Sequence, residues 1–322
     1  MNASPKILIT GGAGFIGSHL TARLLAEGCQ VTVVDDLSTG SAQNLAACRD
    51  NPRLRLVEST VSNFSGLKEA AQEATFIFHL AAAVGVELVV SSPIRTIRTN
   101  LTETEAVLEA ADANHTPVLL ASTSEVYGKS QKPSFSEEDD LLIGPPTLGR
   151  WSYACSKLMD EFLALAYARE RGLPVVIARL FNTVGPRQTG RYGMVLPRFV
   201  ESARAGSPIR VYGSGNQTRC FCYVGDTVEA LVRLSRTPQA RGEVFNIGGT
   251  EEVSILGLAQ QVKETLGSNS PIELIPYDQA YSPGFEDMLR RRPAVEKLER
   301  VTGFRPATKL LDTIKLTAGI AG

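Results

Sequence analysis

Glycines at positions 11, 14 and 17, within Gly11-Gly12-Ala13-Gly14-Phe15-Ile16-Gly17, constrain this chain more than any other feature. They follow Lys6–Thr10 (KILIT), a short apolar run rich in branched residues that reads as a buried parallel strand. They precede Phe15–Glu27, where Phe15, Ile16, Leu20, Leu24 and Leu25 recur at helical spacing and Gly28 ends the repeat. A glycine turn between a strand and a helix is the context of a dinucleotide-binding turn, and a ligand-free turn is the weaker reading. Gly11 permits the tight exit from the strand, Gly14 lets a phosphate approach the backbone, and Gly17 lets helix and strand pack closely. The amides and dipole of the helix start then hold a pyrophosphate. Beyond Gly17, at the end of a second strand over Gln30–Val34, stands Asp35. A carboxylate there accepts hydrogen bonds from a ribose and repels a 2′-phosphate, which favours NAD over NADP.

Further apolar runs at Leu54–Val57, Phe76–Leu80, Val118–Ala121 and Val175–Arg179 read as strands separated by helical segments. Two long helices are predicted, over about Pro93–Ala113 and over Ser152–Arg171 with Gly172 at its end. This alternation predicts an α/β fold: a Rossmann-type doubly wound parallel sheet with a smaller C-terminal substrate-binding domain. Ligands are then expected at the carboxyl ends of the strands. The predicted division is an NAD-binding domain over 1–180 and about 218–250, and a substrate-binding domain over 181–217 and about 251–322. In this division Val244–Ile247 returns to the sheet as a strand. At 322 residues the chain has ample core, and its 43% apolar and 21% charged composition is that of an ordinary globular protein. A net charge of -1 lacks the basic footprint of a nucleic-acid binder, so local basic groups must bind any anion. The five cysteines have no CxxC spacing, which argues against a disulfide framework or structural zinc. With no secretory leader pattern and no long apolar run, a cytoplasmic protein without a membrane span is expected.

Tyr153 and Lys157 form a YxxxK pair, Tyr153-Ala154-Cys155-Ser156-Lys157, on one face of the second long helix. A neighbouring ammonium is expected to lower the phenol pKa and make the tyrosine usable as a base. Alone, such a pair is often a solvated helix face. Here residues 119–128 read LLASTSEVYG at the end of a predicted strand. Thr123 can hydrogen-bond a hydroxyl undergoing oxidation, and Ser124 and Glu125 follow where ligands belong.

Together GGAGFIGSHL, Asp35-Asp36-Leu37-Ser38-Thr39-Gly40, His79-Leu80-Ala81-Ala82, STSEVYG, YACSK and RLFNTVGPR resemble the extended short-chain dehydrogenases. Members of that family epimerise, dehydrate or decarboxylate nucleotide sugars. The resemblance spans Lys6 to about Pro306. It implies that Thr123, Tyr153 and Lys157 are the catalytic trio, joined by Glu125 and Arg291. It assigns the cofactor to Gly11, Gly14, Phe15, Ile16 and Gly17, to Asp35, Asp36, Ser38, Thr39 and Gly40, and to Thr60 and Val61. Leu80, Ala81, Ala82, Asn100, Ser122, Phe181, Thr183 and Val184 complete that set beside Tyr153 and Lys157. It assigns the UDP-sugar to Val86, Ser124, Asn182, Arg187, Met194, Val195, Arg198, Arg210, Tyr212, Gln217, Arg219 and Arg291. Tyr212 would stack on the base, and Arg219 would clamp phosphate oxygens with its planar fork.

Within the family the chain looks most like UDP-glucuronic acid decarboxylases, by STSEVYG, GPPTLGRWSYACSK and the arginine before Pro293. Oxidation at carbon 4 would make a β-keto acid that loses CO2, giving UDP-xylose or a UDP-4-keto-pentose. The 4,6-dehydratases typically carry Asp-Glu where this chain has Ser124-Glu125, and a serine protonates a leaving hydroxyl poorly near neutral pH. The segment Ala81-Ala82-Ala83-Val84-Gly85-Val86 is closer to epimerases, so a 4-epimerase of UDP-glucuronic acid or a UDP-hexose is the alternative. An NAD-binding sensor or scaffold is the non-enzyme alternative, and it would be expected to show damage to the trio. The resemblance also implies a homodimer built on the two long helices.

Overall fold

The computed structural model describes residues 4–83, 92–190, 194–280 and 288–320. Val86 falls outside them. Strands β1 (Lys6–Thr10), β2 (Gln30–Asp35), β3 (Leu54–Glu58), β4 (Phe76–His79), β5 (Val118–Thr123), β6 (Val175–Leu180) and β11 (Glu243–Ile247) form one seven-stranded sheet. Its order is β11-β6-β5-β4-β1-β2-β3, and every pairing is parallel. The chain winds outward from β1 in one direction, then restarts at β4 in the other. The crevice between the carboxyl ends of β1 and β4 is therefore the topological switch point where ligands of such sheets bind.

Two-residue alternation along the strands splits the core between the two faces. Ile7, Ile9, Val31, Val33, Phe76, Phe78 and Val176 pack with Leu20 and Leu24 of helix α1 (Phe15–Ala26). Leu8, Val34, Ile77, Leu120 and Ile177 point to the other face. There they meet α2 (Leu67–Glu73), α3 (Pro93–Asp112) and α4 (Trp151–Arg171) through Ala71, Val107, Leu108 and Ala164. Burial on both faces explains why these strands read as continuous apolar runs. Helix α4 stops at Gly172, whose φ of +70° is a left-handed cap that costs glycine little.

A separate apolar cluster joins α5 (Val195–Arg204), α7 (Ile255–Thr265) and the C-terminal Leu310 and Ile314 through Leu196, Phe199, Leu258 and Ala259. Three two-stranded sheets complete the strands: β7 (Thr183–Val184) with β10 (Cys222–Tyr223), β8 (Ile209–Tyr212) with β13 (Ile272–Ile275), and β9 (Thr218–Cys220) with β12 (Glu252–Ser254). Helix α6 (Val224–Arg236) lies between them in sequence and packs back onto the α1 face through Val228 and Leu231. Among the described residues no helix is long and apolar enough to cross a membrane.

Candidate active site

A cavity of about 880 Å³ opens at the carboxyl ends of β1, β2, β4, β5 and β6 and runs on to β8 and β9. At one end lies the glycine turn. Gly11 has φ of +71°, and a Cβ on it would lie 2.7 Å from the Ala81 amide nitrogen. A Cβ on Gly17 would lie 2.1 Å from the Gly11 carbonyl oxygen. Glycine is thus required at both positions by close backbone approach. The first residue before α1 is Gly14, with no side-chain cap, which leaves the helix start available to a phosphate. Asp35 Oδ2 accepts the Ala13 amide at 2.9 Å, and Oδ1 accepts the Leu37 amide at 2.9 Å. These bonds fix the carboxylate at the cavity wall. Burial pushes its pKa above the ordinary range against the opposing amides of Leu37 and Ala13. Asp36, Ser38, Thr39 and Gly40 line the same end, as do Phe15, Ile16, Thr60, Val61, Leu80, Ala81 and Ala82. The glycine cradle, uncapped helix and fixed carboxylate fit NAD.

At the middle of the cavity Ser122, Thr123, Ser124, Glu125, Tyr153 and Arg291 converge. Thr123 ends β5 and hydrogen-bonds the Tyr153 phenol from one turn of α4. Glu125 Oε1 receives Arg291 at 2.6 Å, and its Oε2 receives Arg150 at 3.3 Å. Burial raises the Glu125 pKa, but Arg291, Arg150 and Arg219 outweigh it and hold the carboxyl below its usual value. Below this strand end, Glu161 binds Arg179 at 2.8 Å and accepts Ser122 Oγ at 2.5 Å, all of it buried.

The lowered phenol expected from Lys157 is not what the structure shows. Burial chiefly raises the Tyr153 pKa, helped by Glu125 and Asp160 and opposed by Thr123 and Arg291. Lys157 is buried and donates to Asp160 Oδ2 at 2.8 Å, so its charge is met by a carboxylate one turn away. It does not line the cavity. Asn100 also stands behind the wall. Its Oδ1 accepts the Ala83 amide at 2.8 Å and its amide donates to Ser156 Oγ at 2.9 Å.

At the far end Asn182, Met194, Val195, Arg198, Tyr212, Gln217 and Arg219 line the cavity, and Thr183 lines it too. Arg187, expected at the nucleotide sugar, also lines the cavity but donates to Ser18 Oγ on α1 at 3.2 Å, which sets it beside the glycine turn. The Arg198 guanidinium lies 4.2 Å from the Tyr212 ring centroid, a cation–π contact. Gln217 donates to the Tyr212 carbonyl at 2.9 Å. Phe181 and Val184 do not reach the cavity. Alternation turns Phe181, between cavity-lining Leu180 and Asn182, into a buried cluster with Tyr127 and Phe135. It likewise turns Val184 into the apolar cluster with Leu196, Phe199 and Leu258. Arg210 shares a strand face with Tyr212 but sits two residues upstream, about 7 Å away. Its side chain is 63% exposed and meets Glu273 loosely, at 3.8 Å.

Arg150, Arg95, Asn44, Gln188 and Tyr277 also line the cavity and were not singled out in the sequence. Of these only Arg150 carried a signal: it lies three residues before Tyr153, at the start of the same helix.

A profile of the NAD dependent epimerase/dehydratase family matches residues 7–248. The chain belongs to that family. It is 41% identical over 302 residues to a UDP-N-acetyl-alpha-D-glucosaminuronate decarboxylase of Bacillus cytotoxicus, covering 94% of this chain and 92% of the relative. It is 36% identical over 313 residues to UDP-glucuronic acid decarboxylase 1 of Danio rerio, covering 97% of this chain and 71% of that one. The crystal structure of UDP-glucuronic acid 4-epimerase from Bacillus cereus, in complex with UDP-glucuronic acid and NAD, superposes with a TM-score of 0.87. That match has 28% identity and covers 98% of both chains. The resemblance read from the motifs is therefore the family, and NAD is its cofactor.

Proposed function

We propose that this protein decarboxylates UDP-glucuronic acid through a 4-keto intermediate, giving UDP-xylose, a UDP-4-keto-pentose, or both. The observation that carries the reading is the Glu125–Arg291 pair set beside Thr123 and Tyr153 in one cavity with the glycine turn. Bound NAD would supply the hydride acceptor for oxidation at carbon 4 and, where the product is UDP-xylose, would return that hydride to carbon 4 after CO2 is lost. Tyr153 takes the proton of the carbon 4 hydroxyl, and Thr123 orients the phenol and that hydroxyl. Arg291 faces the carboxylate on carbon 5. The bond from carbon 5 to the carboxyl carbon then breaks, its electron pair moves toward the carbon 4 oxygen, and carbon 5 takes up a proton. Ser124 argues against water loss from carbon 6, because it is a poor acid for a leaving hydroxide.

A second reading keeps the chemistry and adds an acetamido group at carbon 2, favoured by the 41% identity to the N-acetylglucosaminuronate enzyme. The 4-epimerase reading retains support from the structural likeness to the Bacillus cereus epimerase. Incubating the NAD-loaded protein with each UDP-uronic acid separates all three. Release of CO2 with a pentose nucleotide from UDP-glucuronic acid supports the main reading. Release only from the acetamido sugar supports the second. Recovery of UDP-galacturonic acid with all six carbons would sink both decarboxylase readings.

The two-part division proposed is 1–180 with about 218–250 for NAD, and 181–217 with about 251–322 for the nucleotide sugar. A homodimer through α3 and α4 completes the reading. It is supported by Ile94, Met159 and Phe162 on those helices, which are 71%, 54% and 57% exposed. A monomeric mass in solution scattering at micromolar concentration would contradict it.

A further inference from the structure

We infer that Glu103 is a specificity-determining residue for the cofactor, a buried acceptor on α3 that reads the 6-amino group of the adenine base and rejects an oxo group in its place. The sheet order decides where the base goes. From the centre outward it runs β1-β2-β3, with both pairings parallel. The glycine turn leaves β1 and takes the pyrophosphate, and Asp35 ends β2 and takes the adenosine ribose. The base then falls to the end of β3, where Ser59, Thr60 and Val61 line the cavity with Thr99 and Glu103 of α3.

Glu103 is a charged residue on the buried face of its helix, only 6% exposed. Val107 and Ala110, four and seven residues on, are core residues, so packing alone calls for an apolar side chain here. Its two oxygens are held in place. Oε2 accepts the Ser62 amide at 3.0 Å, and Oε1 accepts the Ser62 hydroxyl at 2.7 Å. A carboxylate offers roughly four lone-pair sites, and Ser62 fills one on each oxygen. Each oxygen keeps a further site, in a side chain that forms part of the cavity wall.

Buried acceptors call for donors. At this end NAD carries the ribose hydroxyls, which fall to Asp35, and the 6-amino group of adenine. The loop after β3, Ser59-Thr60-Val61-Ser62, has no carboxylate of its own. Glu58, the last residue of β3, does not line the cavity. Asp36 is exposed and commits Oδ1 to the Ser38 amide and hydroxyl. Glu103 is thus the carboxylate set at the edge of the base. An amino group donates to it, whereas a 6-oxo group turns a lone pair toward a negative oxygen and is repelled. A residue that only tied the loop after β3 to α3 would not tell the two bases apart.

The test is a competition for binding, read without turnover. The full-length protein is dialysed to equilibrium against an equimolar excess of NAD and nicotinamide hypoxanthine dinucleotide, in which an oxo group replaces the 6-amino group. The bound dinucleotides are then quantified by chromatography. The unmodified protein should hold at least ~10-fold more NAD than the analogue, the scale of a hydrogen bond to a charged acceptor. In Glu103→Gln the ratio should fall to within about 3-fold, because an amide accepts from an amino group or donates to an oxo group. Glu103→Ala removes the acceptor altogether, should give the same collapse, and serves if the glutamine variant does not fold. A ratio within about 3-fold in the unmodified protein would overturn the inference without recourse to any variant. So would variants that hold both dinucleotides more weakly at an unchanged ratio, the result expected of a residue that only ties the loop.

Discussion

Replacing Glu161 by alanine should destabilise the protein by about 3–5 kcal/mol, the cost of leaving a buried charge without its partner. Glu161 accepts Arg179 Nε at 3.0 Å and Nη2 at 2.8 Å, and also accepts the Ser122 hydroxyl at 2.5 Å. Arg179 is 5% exposed, and after the change only the Tyr127 hydroxyl, 3.0 Å from Nη1, remains from this network. An unfolding entropy of roughly 2.1 cal/mol/K per residue over 322 residues turns that cost into a fall in Tm of roughly 4–7 °C. Scanning calorimetry at matched NAD concentration measures it. The double variant Glu161→Leu with Arg179→Met removes both charges and should recover most of the loss. A fall of under about 2 °C for the single variant, or a double variant no better than the single, would refute the claim that a dry ion pair anchors this strand end. Because Ser122 precedes Thr123, the single variant should also lower kcat more than it raises KM.

Gly17→Ala should abolish NAD retention during gel filtration, since the added carbon would lie 2.1 Å from the Gly11 carbonyl oxygen; a variant that co-elutes with stoichiometric NAD would contradict the tight-turn argument. Asp160→Asn should move the acid limb of the kcat/KM profile to lower pH. The base works when its phenol has lost its proton, activity therefore rises with pH through that pKa, and removing a carboxylate that raises it lowers the limb. A limb that stays or moves up would show that Asp160 is not felt at Tyr153. Glu125→Gln should slow decarboxylation at least ~10-fold with the NAD dissociation constant changed less than about 3-fold, measured by CO2 release and by fluorescence titration.

Most of the sheet was legible because its inner strands are buried on both faces. Continuous runs such as KILIT leave one period to choose, and β1, β2 and β5 fall within two residues of where the sequence puts them. The YxxxK helix was legible because Gly172 marks its end. What escaped depends on contacts between segments distant in sequence or on alternation within a short extended stretch. Phe181 and Val184 were assigned to the cofactor with their neighbours, but one step of the two-residue period sends them into packed cores. Lys157 matched its motif and its helix face, yet its setting depends on Asp160, three residues on, which carried no signal of its own. Arg150 gains its place at the cavity from the fold, where it and Arg291, far along the chain, both meet Glu125 on β5's trailing turn. Local pattern thus fixes where the backbone goes, and not which side chains reach the cavity. Which charged groups meet beside Thr123 and Tyr153 follows from how segments far apart in the chain come together.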